Sequence, residues 1–192
     1  MAKIIFLMGV SSTGKTMLAN ELVRQLPEEN FIIDGFDHAV EKLDKKYWPT
    51  GELHREGFYY IDGPDGPQMQ RGPVGDEFLE SMVADIIRKA QDGKNIIIDY
   101  VPPEEDIARF KKELPEAKFI TVGLKPPIEW VIENEKKRGD RKVGMAEQDY
   151  KHFYRDKQFD ITLDTSKNTP TESAEIIKTF IDRLKVNMRN KL

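Results

Sequence analysis

Lys3-Ile4-Ile5-Phe6-Leu7-Met8-Gly9-Val10-Ser11-Ser12-Thr13-Gly14-Lys15-Thr16 is the stretch whose reading decides the fold. Its first half is a compact apolar run stopped by a glycine, the pattern of a strand buried on both faces. Its second half, Gly9 to Thr16, fits G-x-x-x-x-G-K-[ST] at every constrained place. Helical spacing follows, with Leu18, Leu22 and Leu26 on one face and Pro27 as the stop. Strand, glycine loop and helix in that order suit a phosphate cradle. The glycines let the backbone approach closely, and amide N–H groups at the helix N-terminus point inward. Gly9, Val10, Ser11, Ser12, Thr13 and Gly14 are therefore the candidate cradle. Lys15 is placed to reach the β- and γ-phosphates of a nucleotide, and the Thr16 hydroxyl to ligate Mg²⁺. A junction that needs glycines for its shape alone is the bland alternative, and motif and context together speak against it.

Working outward, the same alternation continues. Phe31-Ile32-Ile33 reads as a second strand, ending in Asp34-Gly35-Phe36-Asp37. A weak helical signal runs from Val40 to Tyr47 and should be over by Trp48, which precedes Pro49. Residues 51–75 break the pattern with Gly, Pro and aromatics. Here Phe58 to Ile61 and Gln68 to Arg71 are candidate hairpin arms around the turn Pro64-Asp65-Gly66-Pro67. A helix is expected from Asp76 to Gln91, a strand at Asn95 to Ile98, and a helix from Glu104 to Leu114. A strand at Lys118 to Gly123 and a helix from Pro126-Pro127 to Lys137 come next. Phe159 to Leu163 and Pro170 to Met188 are the last strand and helix. Strands alternating with helices predict an α/β, doubly wound, three-layer domain over 1–192 with a parallel five-stranded sheet.

Composition removes several classes of protein. The chain has 192 residues, enough for one α/β domain with a sizeable core. A net charge of −4 does not suit a protein that coats nucleic acid, and no nucleic-acid partner is expected. There is no cysteine, so thiol nucleophiles and Cys-ligated zinc are excluded and a cytoplasmic home is the default expectation. The apolar start runs into Ser11-Ser12-Thr13 rather than a cleavage site, and no run reaches the roughly 18 to 20 apolar residues of a membrane helix. No membrane association is expected.

Three further segments carry chemistry. Ile96-Ile97-Ile98-Asp99 has the form of a strand that ends in an acid at the ligand-binding edge of the sheet. Asp99 either holds the metal or caps the helix that begins near Pro102. Arg138-Gly139-Asp140-Arg141 lies in a lid region, 136–152, and its two arginines suit a segment that closes on the transferring phosphoryl group. Asp34 and Asp37 both follow the second strand, and either can take a proton from a substrate hydroxyl. Asp37 is alternatively an N-cap of the following helix. His38, His54 and His152 lack ligand-like spacing and read as surface or packing residues.

Taken together, these segments resemble the chloramphenicol 3-O-phosphotransferase-like family of P-loop kinases over nearly the whole chain. The resemblance rests on Met8 to Lys15, Phe36-Asp37, and Gly57 to Pro73 with its closing Gly72-Pro73. It rests further on Arg138-Gly139-Asp140-Arg141 before Gly144-Met145-Ala146, and on Phe159-Asp160 and Leu163 to Ser166. It implies a P-loop kinase fold with a substrate-side insertion at 51–75, ATP and Mg²⁺ as cofactors, and a small-molecule hydroxyl as acceptor. It also implies that Asp37, rather than Asp34, is the base, beside Lys15, Arg138 and Arg141 in catalysis. Met8 departs from the family's usual Asn, and the insertion around Tyr59 and Tyr60 has its own composition. A nucleoside or nucleotide kinase would share the same loop, acid and lid arginines, and a non-catalytic nucleotide-binding module would share the loop. A GTPase would need D-x-x-G and N/T-K-x-D motifs, and the sequence has neither.

Overall fold

Along the first strand, β1 (Lys3–Met8), successive side chains enter two different cores. Ile4, Phe6 and Met8 point to one face, and Ile5 and Leu7 to the other, as the two-residue period of a strand requires. The computed structural model describes residues 2–64, 66–138 and 142–189 of the chain. Within them, α1 (Lys15–Gln25) follows the glycine loop, and β2 (Phe31–Asp34) leads into the short α2 (Phe36–Val40). The hairpin β3 (Phe58–Gly63) and β4 (Gly66–Arg71) precedes α3 (Pro73–Gln91), β5 (Asn95–Ile98) and α4 (Glu104–Glu113). Then come β6 (Lys118–Leu124), α5 (Ile128–Arg138), α6 (Met145–Phe153), β7 (Ile161–Leu163) and α7 (Pro170–Arg189).

The main sheet has five parallel strands in the order β2-β5-β1-β6-β7, so β1 lies at its centre. One face packs on α3 and α4 through Leu79, Val83, Ile86 and Phe110. The other packs on α1 and α7 through Leu18, Leu22, Ile177 and Ile181. The expected doubly wound parallel sheet is the fold observed. Each such Leu, Ile or Phe contributes roughly 1.5–3 kcal/mol by leaving water, which makes these two layers the scaffold for everything at the sheet's edge. No helix among the described residues is long and apolar enough to cross a membrane.

Several boundaries differ from the expectation, each for a physical reason. The helix expected from Val40 to Tyr47 begins earlier, at Phe36, and ends at Val40. Phe36 sets that start because its ring lies 5.3 Å from Phe58, 6.0 Å from Trp48 and 6.2 Å from Phe78. Lys45–Tyr47 is a separate 3₁₀ turn capped by Asp44, whose side chain accepts from the Lys46 amide at 3.1 Å. The last strand is shorter than Phe159 to Leu163 because side chains replace the ladder at its start. Asp160 accepts from the Thr121 amide at 2.7 Å, and the Phe159 ring lies against Gly123. Met145–Phe153, most of it inside the expected lid region 136–152, forms a helix.

Gly35 joins β2 to α2 at φ 153°, with the Asp99 backbone against it: an added Cβ would lie 2.5 Å from the Asp99 carbonyl oxygen. Gly93, after α3, is also at positive φ (83°) but has nothing within 4 Å of the same position. Gly93→Ala should therefore cost only the left-handed strain, about 1–2 kcal/mol. Gly35→Ala should cost clearly more, since the Asp99 backbone is held in place by its amide's bond to the Asp34 carbonyl at 2.9 Å. Urea denaturation of both variants measures the difference, and equal losses would show that the Asp99 contact is not tight.

Candidate active site

At the end of β1 the chain turns through a loop that packs against itself. A Cβ on Gly9 would sit 2.8 Å from Thr13 Oγ1 and 2.9 Å from the Leu124 carbonyl oxygen, so only glycine fits. Ser12 and Gly14 adopt left-handed angles (φ 65° and 90°), which fold the loop back over the start of α1. The buried Thr13 hydroxyl donates to the Val10 carbonyl at 2.9 Å, and Thr165 donates to the Thr13 carbonyl at 2.9 Å. Helix α1 has no side-chain cap at Gly14 and no acid in its first turn. Its leading amides and positive dipole end therefore suit an anion. The Ser12 hydroxyl oxygen is buried without a hydrogen-bond partner beside them. Uncapped amides and an orphaned hydroxyl fit a phosphate chain.

Lys15 lies over this loop, its ammonium donating to the carbonyls of Gly9 and Val10 at 2.9 Å each. The Thr16 hydroxyl donates to Asp99 Oδ2 at 2.6 Å. Asp99 is buried at the end of β5, and the helix behind it starts at Glu104 with Pro103 as N-cap, so Asp99 caps nothing. A hydroxyl and a carboxylate in contact are hard oxygen donors of the kind Mg²⁺ takes.

The two competing aspartates have different surroundings. Asp34 is buried, receives the Lys89 ammonium at 2.5 Å and accepts from the Gly35 amide at 2.8 Å. Asp37 is not the N-cap of α2, a position held by Gly35. It is 42% exposed and faces a cleft of about 1170 Å³ that also takes in Gly9, Lys15, Thr16 and Asp99. Arg138, from the end of α5, lines the same cleft and lies 3.7 Å from Asp37 through Nη2. Arg141, with Gly139 and Asp140, lies outside the described residues.

The cleft is also lined by residues that the sequence did not single out as a group. Phe36, Phe58 and Met69 give it an apolar lining, and Arg71, Tyr100 and His152 give it polar points. His152 thus has a place at the cleft rather than a surface or packing role alone. Burial pushes the Tyr100 phenol up to about 12, so it is a neutral donor at physiological pH. Tyr154 was also illegible in the sequence. Its hydroxyl donates to the Leu124 carbonyl and receives the Val10 amide at 3.4 Å, tying the loop to β6. Burial raises this phenol as well.

A parallel sheet with this glycine loop after its central strand, a Thr–Asp pair at the next strand and an arginine over the cleft define a P-loop phosphotransferase. The chloramphenicol phosphotransferase-like protein family matches residues 2–182, and the chain belongs to that family. Solved structures that share its fold include kinases. A putative kinase from Chloroflexus aurantiacus superposes with a TM-score of 0.65 at 15% identity, covering 95% of this chain and 97% of that one. The APS kinase of Mycobacterium tuberculosis, in complex with AMPPNP and APS, gives 0.59 at 15% identity, with 94% and 98% covered. The tunicamycin resistance protein of Deinococcus radiodurans gives 0.59 at 18% identity, with 94% and 96% covered. No curated protein matches significantly in sequence.

Tyr154→Phe should leave the fold intact and cost about 1–3 kcal/mol, because the Leu124 carbonyl and the Val10 amide lose their shared partner inside the protein. Urea unfolding measures it. A neutral result would mean that water reaches the gap and the hydroxyl is dispensable.

Proposed function

We propose that the protein transfers the γ-phosphate of ATP to a hydroxyl group of a small molecule. The single observation that carries this reading is the position of Asp37: a carboxylate in the same cleft as Lys15 and the Thr16–Asp99 pair. In this reading the amides from Gly9 to Gly14 and the Ser11, Ser12 and Thr13 segment wrap the phosphates. Lys15 exchanges its loop carbonyls for phosphate oxygens, and Arg138 turns from Asp37 to the transferring group. Thr16 and Asp99 are the residues that would hold Mg²⁺, which supplies charge neutralisation on the phosphates when bound. Asp37 accepts the proton of the acceptor hydroxyl and holds that oxygen in line. The new bond forms from this oxygen to the γ-phosphorus, the bond from the γ-phosphorus to the β–γ bridging oxygen breaks, and ADP leaves.

The acceptor side of the cleft favours an uncharged, partly aromatic alcohol. Its lining of Phe36, Phe58 and Met69 is apolar, and Arg71 already pairs with Asp76 at 3.0 Å. Chloramphenicol, from the family's description, is the first acceptor to test. Nucleosides and sugars follow as competing acceptors, with γ-labelled ATP as donor.

Lys15→Ala should abolish transfer while the melting temperature holds, since the Gly9 and Val10 carbonyls that it bonds line an open cleft. Wild-type turnover at saturating ATP would refute the phosphate-binding role. Thr16→Ala should leave transfer detectable but raise the Mg²⁺ concentration needed, as one ligand oxygen is lost.

Asp37→Asn keeps the size of the side chain but cannot take a proton. Turnover should fall by roughly two to four orders of magnitude, with ATP affinity and stability nearly constant. Asp34→Asn should show the reverse: about 1–3 kcal/mol of stability lost from its bond to Lys89, with turnover per folded molecule largely kept. Paired kcat and urea measurements decide it. Loss of transfer in the Asp34 variant alone would reverse the assignment.

A further inference from the structure

Helix α6 begins without a cap of its own, since Gly144 at its N-cap, in the left-handed region at φ 99°, offers no side chain. The missing cap comes from another helix. Glu135, on α5, is only 2% exposed, and its carboxylate accepts from the Gly144 amide at 2.7 Å and from the Ala146 amide at 2.8 Å. A carboxylate at the positive end of a helix, bonded to two amides that lack helical partners, is a favourable arrangement. It also explains how a Glu on α5 can be buried.

The connection joins three parts of the cleft wall. Glu135 is three residues before Arg138, one turn earlier on the same helix. The helix it caps carries Gln148 and His152, which line the cleft. Gly144 itself lies against the hairpin: a Cβ there would be 3.4 Å from Pro67 Cδ, and one on Gly66 would be 3.4 Å from Gln148 Cβ. Moving the Glu135 carboxylate therefore shifts α5, α6 and the hairpin tip relative to each other.

We infer that Glu135 is a positioning residue for phosphoryl transfer, setting Arg138 over the cleft by clamping the end of α5 to the start of α6. This rests on the kinase reading above. Glu135 touches neither nucleotide nor acceptor and acts through Arg138.

Glu135→Gln tests it, because a carboxamide keeps the volume but turns an NH₂ group towards one of the two amides. Four proteins are compared: wild type, Glu135→Gln, Arg138→Ala and the double variant. Labelled phosphate transfer to chloramphenicol, nucleosides and sugars is measured, or phosphate released to water if no acceptor is used. Glu135→Gln should lower kcat by about tenfold to 100-fold, the scale of a small displacement of a catalytic group, and change it less than about twofold once Arg138 is gone. Equal effects in both backgrounds, or unchanged kcat with only a lower melting temperature, would reduce Glu135 to a structural cap. Glu135→Asp, which keeps the charge and withdraws it by one methylene, should show the same dependence on Arg138 if the Gln variant does not fold. Calorimetry with Mg²⁺ and AMPPNP on the wild type separates the two levels. A wild type that binds no AMPPNP overturns the kinase reading and Glu135's role with it. A wild type that binds and turns over, with additive variants, overturns the role of Glu135 alone.

Discussion

The parallel pairing of β1 with β5, with Ile4 opposite Ile96 and Phe6 opposite Ile98, is the constraint on which the site depends. Both strands are buried on both faces, so a slip of one residue would send every side chain into the wrong core. With that register locked, Thr16, just inside the helix after the loop, meets Asp99 at the end of the neighbouring strand at 2.6 Å. The pairing of Asp34 with Ile98 then brings Gly35 against the Asp99 backbone, where the Asp99 amide donates to the Asp34 carbonyl at 2.9 Å. The spacing between the proposed metal ligands and Asp37 is thus set by strand register and a close backbone contact. Flexible side chains have little part in it.

Two aspartates three residues apart end in opposite states because the chain turns between them. Asp34 is the last residue of β2 and stays in the sheet, where burial would be costly without a partner. Lys89 supplies that partner, and Lys89 is in turn shared with Asp85 at 2.6 Å. Asp37 is one step past the glycine turn and opens to solvent. Its helix is held from behind by the aromatic group of Phe36, Trp48, Phe58 and Phe78. Those rings fix the backbone of Asp37 while leaving its carboxylate at the cleft.

What was legible in the sequence is what is decided locally. Lys3 to Thr16 carries its own evidence: an apolar run, two glycines, a lysine and a threonine at fixed spacing, with a helix stripe behind. The alternation of strands and helices was equally readable, because each element's period is written in its own residues. The illegible parts depend on partners far along the chain. Nothing near Val10 announces that Tyr154 will brace it, and nothing near Gly144 announces a cap from Glu135. The helix from Met145 to Phe153 is not named in the lid region read from the sequence for that reason. The burial of Asp34 is compensated by Lys89, 55 residues further on. Only the family resemblance had favoured Asp37.

The cover of the cleft shows which contacts can hold such a long-range arrangement. Lys142 pairs with Asp62 of the hairpin, but the side chains are 39% and 82% exposed. A pair so open to water contributes about 0–1 kcal/mol and weakens further with salt. The two bonds from the buried Glu135 are charge-assisted and shielded, on the order of 1.5–3 kcal/mol each. The hairpin and α6 also meet at ordinary contact distance, since a Cβ on Gly66 would lie 3.4 Å from Gln148 Cβ and one on Gly144 3.4 Å from Pro67 Cδ. The visible surface ion pair is therefore the weaker bond. The stronger tie between α5 and α6 is made from inside, by the Glu135 carboxylate on the Gly144 and Ala146 amides.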